Sequence, residues 1–305
     1  MPRRRRGRQV NGIVLLDKPE GLSSNAALQR VRRLFNAAKA GHTGSLDPLA
    51  TGVLPLCLGE ATKFSQFVLD ADKAYWSTFA LGVATDTFDA EGAVTATADA
   101  SGLRGEVIDR AMAQFEGVID QVPPMYSALK HNGQPLYKLA RQGVEVERQS
   151  RCVEIRQFDR RDFRPGTIAE LDVIIVCSKG TYVRSLAASL GEALEVPAHV
   201  RTLRRVKAGP YDIAEAVSMD TLEAAAAEGE HCLDAMLLPI DGPLAVLAEV
   251  FLGASATFYL QQGQAVRVSN GPQSGMVRAY GAEGQFLGIG EMLDDGRVAP
   301  RRLVV

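Results

Sequence analysis

Residues 41–56 read Gly-His-Thr-Gly-Ser-Leu-Asp-Pro-Leu-Ala-Thr-Gly-Val-Leu-Pro-Leu, and no other stretch restricts the backbone so tightly. Glycine admits conformations closed to other residues, whereas proline fixes φ and removes a donor. Three glycines (Gly41, Gly44, Gly52) and two prolines (Pro48, Pro55) therefore impose a shaped loop around a single carboxylate, Asp47. No second acid lies within the segment, so it encodes neither an acid/base pair nor a metal cage. An Asp before Pro is ordinarily a turn former. The segment alone leaves both readings open, turn and catalyst.

Around it, the pattern of apolar residues predicts a chain of mixed elements. Residues 1–10 are Arg-rich without apolar periodicity and read as a disordered arm. The run Ile13-Val14-Leu15-Leu16 reads as a strand ending in the turn Asp17-Lys18-Pro19-Glu20-Gly21. Ser23 or Ser24 then caps a helix with Leu28, Val31, Leu34 and Phe35 on one face. Residues 41–51 read as a loop, 75–83 as a strand and 85–92 as a polar turn. A helical stripe of Val107, Ala111, Met112 and Phe115 stops at Gly117. Residues 122–143, rich in Pro, Gly and basic side chains, read as a long excursion from the core. Strands at 153–158 and 171–177 follow, then a helix at 182–194 and acidic surface helices. Past Ala254 the texture changes to short strands, at 265–268, 276–280, 286–292 and 303–305, which predicts a small β-barrel beyond a boundary near residue 250.

With 46% hydrophobic and 23% charged residues over 305 positions, the chain has enough apolar content for two packed domains. No run approaches the roughly 18–20 apolar residues that cross a bilayer, and Arg3 to Arg6 are not followed by a cleavable apolar segment. The expectation is a cytoplasmic protein with no membrane partner. Cys57, Cys152, Cys177 and Cys232 are widely spaced, which predicts reduced, mostly buried thiols rather than disulfides or a zinc site. The net charge of −2 conceals an asymmetry: residues 211–250 hold nine acids and no Lys or Arg, which leaves +7 on the remainder. Basic residues concentrate at 130–161 and 179–207, suggestive of a polyanion face or of ordinary solvated surface.

The loop Gly-His-Thr-Gly-Ser-Leu-Asp-Pro-Leu-Ala-Thr-Gly-Val-Leu-Pro resembles the catalytic loop of the TruB family, the tRNA pseudouridine-55 synthases. Three further motifs are similar and collinear: Leu16-Asp17-Lys18-Pro19-Glu20-Gly21, Asp72-Lys73-Ala74-Tyr75 and Ser178-Lys179-Gly180-Thr181-Tyr182-Val183-Arg184. Similarity extends from about Asn11 to the last residues. It implies an α+β fold, with a mixed, mainly antiparallel central sheet flanked by helices and loops over 11–250 and a small PUA-like β-barrel over 251–305.

The resemblance also assigns roles. Asp47 corresponds to a catalytic carboxylate acting covalently, by attack on ribose C1′ or by assisting elimination to a glycal. Arg184 corresponds to the arginine that pairs with it, as a planar guanidinium can. Tyr75 matches the tyrosine that stacks on the target base, with a further part in removing the C5 proton. Tyr182 matches a second pocket tyrosine, Leu203 an apolar wall, and His42 the group that fills the space of a flipped base. Lys18 and Pro19 shape the pocket, Lys63 binds phosphate, and Asp89 contacts RNA or its neighbouring loop. Lys130, Tyr137 and Arg141 belong to a thumb, 122–143, that closes on the T arm of tRNA, while the C-terminal domain reaches toward the acceptor stem. No cofactor, metal, guide RNA or obligate protein partner is implied, and the expected state is a monomer. Competing readings are a tRNA-binding or folding-assistance module without chemistry, a guide-RNA-dependent relative, and an aspartate-dependent hydrolase, which would need a second acid or a metal.

Overall fold

The apolar runs at 13–16 and 53–58 form neighbouring central strands because both of their faces are covered. In the computed structural model, which describes residues 7–304, β1 (Gly12–Lys18) pairs antiparallel with β3 (Thr51–Leu58), Leu15 opposite Pro55. Val14, Leu16, Leu54 and Leu56 enter the main core, while Ile13, Leu15, Val53 and Cys57 enter a second cluster on the reverse face. A strand buried on both sides loses the alternation that marks a half-buried one. The loop expected at 41–51 is accordingly shorter than its sequence suggested: β2 (Ala40–His42) flanks it on one side and β3 on the other.

The remaining strands of this ten-stranded sheet are β4 (Lys73–Leu81), β5 (Gly117–Gln121), β6 (Arg151–Arg164), β7 (Ala169–Cys177) and β8 (Ala198–Ala208), with two-residue strands at Tyr211–Asp212 and Val217–Ser218. From edge to edge the order is Val217–Ser218, β1, β3, β8, β4, β7, β6, β5, and β2 lies beside β3. Pairing is parallel between β8 and β3 and between β1 and Val217–Ser218, and antiparallel elsewhere, the mixed and mainly antiparallel sheet expected. Helices α1 (Ser24–Leu34), α2 (Gly105–Met112), α3 (Val183–Ala193) and α4 (Met219–Glu228) bury Val31, Ile108, Leu186 and Leu222 in the main core. The α1 cap is Ser23, whose hydroxyl accepts from the Ala26 amide at 3.2 Å.

A second sheet begins at β9 (Ala248–Phe251), close to the boundary expected near 250. Helix α5 (Ala254–Gln261) and strands β10 (Val266–Arg267), β11 (Gly275–Tyr280), β12 (Phe286–Met292) and β13 (Arg297–Leu303) complete it. In the order β9, β11, β12, β13, β10, the strands curl into a PUA-like half-barrel around Val250, Leu260, Val277 and Val298. Two features differ from the sequence reading. The last strand runs from Arg297 rather than 303, masked by Pro300 and three arginines, and α5 lacks an apolar stripe because only Thr257 and Leu260 in it are buried. Residue 305 lies outside the described residues.

The N-terminal arm also differs. Residues 1–6 lie outside the described residues, but Arg8 pairs with Asp234 at 2.6 Å and Glu230 at 3.2 Å, and Val10 is buried. The acidic stretch that skews the charge distribution is what fastens this segment. The excursion at 122–143 is not structureless either: it holds a hairpin, Lys130–His131 against Gln134–Pro135, and a short helix, Leu136–Ala140.

Candidate active site

The loop around Asp47 is held by its backbone. Ser24, in the first turn of α1, accepts from the Leu46 amide at 2.6 Å and donates to the Leu46 carbonyl at 3.0 Å. Lys18, with no exposed surface, sends its Nζ to the carbonyls of Pro19 (2.8 Å), Leu22 (2.6 Å) and Pro48 (3.3 Å). Burial lowers its pKa to about 8, against the opposing pull of Asp47. Lys18 and Pro19 thus tie the strand-ending turn to the loop. The Ala50 amide closes a tight turn on the Asp47 carbonyl at 3.1 Å.

Arg184 arrives from the first turn of α3, and its side chain is only 5% exposed. Nη2 lies 2.9 Å from Asp47 Oδ2 and Nη1 lies 3.3 Å from Asp89 Oδ2. Further donors reach the carbonyls of Thr87 (2.9 Å) and Tyr126 (2.7 Å). Asp89 is itself buried, and its Oδ1 accepts from Thr87 Oγ1 at 2.6 Å and from the Glu91 amide at 3.1 Å. Of the two expected partners of Asp89, RNA or its neighbouring loop, the contacts seen are with that loop and with Arg184. The Asp47 side chain stays 41% exposed, so its carboxylate is reachable from outside while its partner is not. Withdrawal from bulk water pushes the Asp47 carboxyl above the ordinary carboxylate range; Arg184 and Lys18 oppose this and Asp89 reinforces it.

Asp47 and Arg184 stand where two spaces meet. An inner hollow of about 300 Å³ is walled by Tyr75, Leu203, Tyr182, Lys73 and Arg205. An outer cleft of about 790 Å³ is lined by His42, Asp89, Glu91, Tyr126, Tyr137 and Arg141. Tyr75 is buried on β4, Leu203 on β8, and the Tyr182 backbone is gripped by Gln121, which accepts from its amide at 2.7 Å and donates to its carbonyl at 3.1 Å. Burial pushes both phenols upward. His42 Nδ1 is buried without a protein partner, and burial together with Arg205 lowers its pKa, favouring the neutral ring. Of the expected site residues, Lys18, Pro19, Lys63 and Lys130 line neither space. Lys130 is exposed on the thumb hairpin outside the cleft lining. Lys63 pairs with Glu60 and donates to the Leu303 carbonyl at 2.8 Å, which joins the two domains.

Comparison with known proteins follows this geometry closely. Residues 32–183 match the model described as TruB family pseudouridylate synthase (N terminal domain). Residues 184–245 match tRNA pseudouridylate synthase B C-terminal domain, and 248–304 match Pseudouridine synthase II TruB, C-terminal. Among relatives, tRNA pseudouridine synthase B of Saccharophagus degradans is 52% identical over 307 residues, covering 99% of this chain and 98% of that one. The chain belongs to the TruB family. The Pseudomonas aeruginosa protein of the same name is 52% identical, with 97% of each chain covered. A solved Cbf5-Nop10-Gar1 complex contains a chain with the same fold, at TM-score 0.71 and 23% identity, covering 96% of this chain and 84% of that one.

Within this TruB chain, two buried cations line the hollow without a role assigned from the sequence: Lys73 falls in the motif around Tyr75, and Arg205 lies outside every motif. Lys73 donates to the carbonyls of Val68 (3.0 Å), Leu69 (2.7 Å) and Ala71 (2.6 Å), and burial lowers its pKa to about 8. Arg205 is 1% exposed. A buried charge reads as a surface charge unless its strand register is known, and the register here is broken by two bulges in β8. The basic stretch at 179–207 is therefore largely internal or paired: Lys179 with Asp70, Arg201 with Glu170, Arg204 with Asp17. On the stretch 130–161, by contrast, Lys130, Lys138, Arg141, Arg151 and Arg161 have no acidic partner among the described residues. Cys57 and Cys177 are buried, Cys232 half-buried and Cys152 exposed, all as free thiols. Among the described residues no cluster of His, Cys, Asp or Glu is arranged to hold a metal, and no helix is long and apolar enough to cross a membrane.

Proposed function

We propose that this chain isomerises uridine to pseudouridine at position 55, in the T loop of tRNA, as a monomer acting in the cytoplasm without guide RNA. The observation that carries this reading is an accessible Asp47 carboxylate, ion-paired to a buried Arg184, at the junction of an outer cleft and a hollow. The reaction breaks the bond from uracil N1 to ribose C1′ and joins C5 to C1′, with the C5 proton lost and one gained at N1. Its atoms balance without a co-substrate. Asp47 is the group acting on the sugar, and Arg184 keeps it ionised against burial. The hollow, at the small end of ligand pockets, suits a detached base held between Tyr75, Tyr182 and Leu203.

A base enters such a hollow only when flipped out of the folded loop, and His42 at the cleft wall is placed to take up the vacated space. Unpaired thumb cations, with Arg141 stacked 5.6 Å from the centre of Tyr137, supply a grip for phosphates and bases. Lys130 contributes from outside the cleft, and the C-terminal domain adds contact along the acceptor stem. The names of close relatives support tRNA as the substrate. They also favour catalysis over a purely binding module.

The test incubates purified protein with an unmodified tRNA transcript, without guide RNA or added metal, and maps pseudouridine. Wild type is expected to modify the T loop, and Asp47→Asn to make no product while retaining tRNA binding. Normal turnover by Asp47→Asn would refute the assigned nucleophile.

A further inference from the structure

Burying a guanidinium costs several kcal/mol unless its donors are used, so a fully internal arginine has to be explained by what it holds. Arg205 sits on β8 directly opposite Tyr75 on β4, and cross-strand partners project from the same face. Register shifts between Val200 and Thr202 and between Arg205 and Lys207 flank it, and bulges of this kind re-aim side chains. Its neighbour Arg204 turns the other way, to Asp17 at 2.7 Å. Arg205 Nε donates to the Val53 carbonyl at 2.7 Å and Nη2 to the Gly44 carbonyl at 3.2 Å, with Nη1 3.5 Å from the Ser45 carbonyl. The two side chains share the wall of the inner hollow. One planar group thus joins β3 to the Asp47 loop, across the strand pair from Tyr75.

No carboxylate of the described residues lies within ion-pair distance of Arg205. Arg184, on the same hollow, is matched by Asp47 and Asp89; among the described residues Arg205 donates to carbonyls, and its charge stands across the strand pair from Tyr75. Lys73, held by three carbonyls, lines the same hollow. We propose that Arg205 is a positioning residue for the reaction, which acts through Tyr75 by holding its hydroxyl in place and stabilising the phenolate left when the phenol proton passes to solvent, the form able to take up the C5 proton. Fixed charges aimed at developing charge in a water-poor site are effective because nothing has to reorganise. In keeping with this, burial pushes the Tyr75 phenol upward and Arg205 is the foremost influence opposing it.

The inference rests on the reading of Asp47 and Tyr75 as the reacting site, and the experiment separates the two. Single-turnover rates on unmodified tRNA transcript and tRNA affinity are measured with the full chain for wild type, Asp47→Asn, Arg205→Lys, Arg205→Gln, Tyr75→Phe, and Tyr75→Phe combined with Arg205→Gln. Arg205→Gln is expected to slow the chemical step about tenfold or more at unchanged affinity, and Arg205→Lys, which restores the charge, to slow it less. In the Tyr75→Phe background the Gln substitution should slow it by about threefold or less, because the group it acts through is gone. Equal slowing in both backgrounds, or equal damage from Lys and Gln, would make Arg205 a plain structural clamp and overturn the proposal.

Tyr75→Phe at the wild-type rate would overturn the proposal; should Tyr75→Phe make too little product for the double variant to be compared, the pH profile decides. Loss of the guanidinium lets the phenol release its proton only at higher pH, so the alkaline rise of Arg205→Gln must move upward. A profile parallel to wild type counts against the proposal. Product from Asp47→Asn would instead sink the underlying reading.

Discussion

Arg184 carries one positive charge and faces two carboxylates of different exposure, which gives their replacement opposite effects on pH dependence. Asp47 is pushed upward first by burial and then, in part, by Asp89; Arg184 pulls it down. On the proposed reading only the ionised form of Asp47 acts on the sugar, so activity is expected to rise with pH as Asp47 deprotonates and to be lost on acidification. That loss begins at a higher pH than an exposed aspartate would show. Asp89→Asn removes a neighbouring anion and should move this acid limb to lower pH; Arg184→Gln removes the cation and should move it to higher pH. Both should also slow the reaction about tenfold or more, since each breaks a charge-assisted contact that fixes the site. Single-turnover rates between about pH 5 and 8 provide the check. Shifts in the same direction would mean that geometry outweighs charge at this pair.

At the scale of elements, β3 and β8 join in parallel beside the Asp47 loop with no room for a side chain at Gly52. Gly52 faces Arg205 there with φ +99°, and a Cβ on it would meet the Arg205 carbonyl oxygen at 2.1 Å. Gly52→Ala should cost about 3 kcal/mol or more in urea unfolding, from strain and overpacking together. Gly41→Ala, whose added Cβ finds nothing nearer than Thr62 Cγ2 at 3.9 Å, should cost about 1 kcal/mol or less. Equal costs would show that the join is loose. The same strands mark the limit of what the sequence discloses. β1, β4, β7 and α3 are legible because each pairs an apolar pattern with a turn or cap, as when Ser23 precedes the α1 stripe. β3 is hidden by burial on both faces and by Pro55 within it, and β8 by its bulges and four basic residues. For the site, the shaped loop around Asp47 is readable from its glycines and prolines. Its pairing with Arg184, a residue on a distant helix, follows from motif resemblance and not from any local pattern. The inward turn of Asp89 and the burial of Arg205 depend on tertiary register, which no single window of sequence contains.

Across the whole molecule, the two domains meet at one small apolar cluster bordered by reciprocal polar contacts. Phe64 is fully buried among Leu244, Ile289 and Phe286, edge-on to the Phe286 ring at 5.5 Å. Beside it, Lys63 Nζ donates to the Leu303 carbonyl and Arg302 Nη1 donates to the Lys63 carbonyl, both at 2.8 Å. This fixes the half-barrel against the segment that follows β3, which also leads from the Asp47 loop. If RNA contacts along the acceptor stem come from that domain, their distance from the hollow is set by this junction, and a rigid junction spares the complex the entropy of ordering two loose bodies. Phe64→Ala removes the centre of the cluster at a cost of about 3–5 kcal/mol. Calorimetry should then show the C-terminal domain melting ahead of the catalytic domain. tRNA affinity should fall, while the single-turnover rate at saturating protein stays within about threefold of wild type, because no group at the hollow has moved. Phe258→Ala, on the exposed side of α5, should leave the melting order unchanged. A rate that falls with Phe64→Ala even at saturation would mean that the junction reaches the reacting groups, and that the half-barrel sets catalytic geometry as well as the hold on RNA.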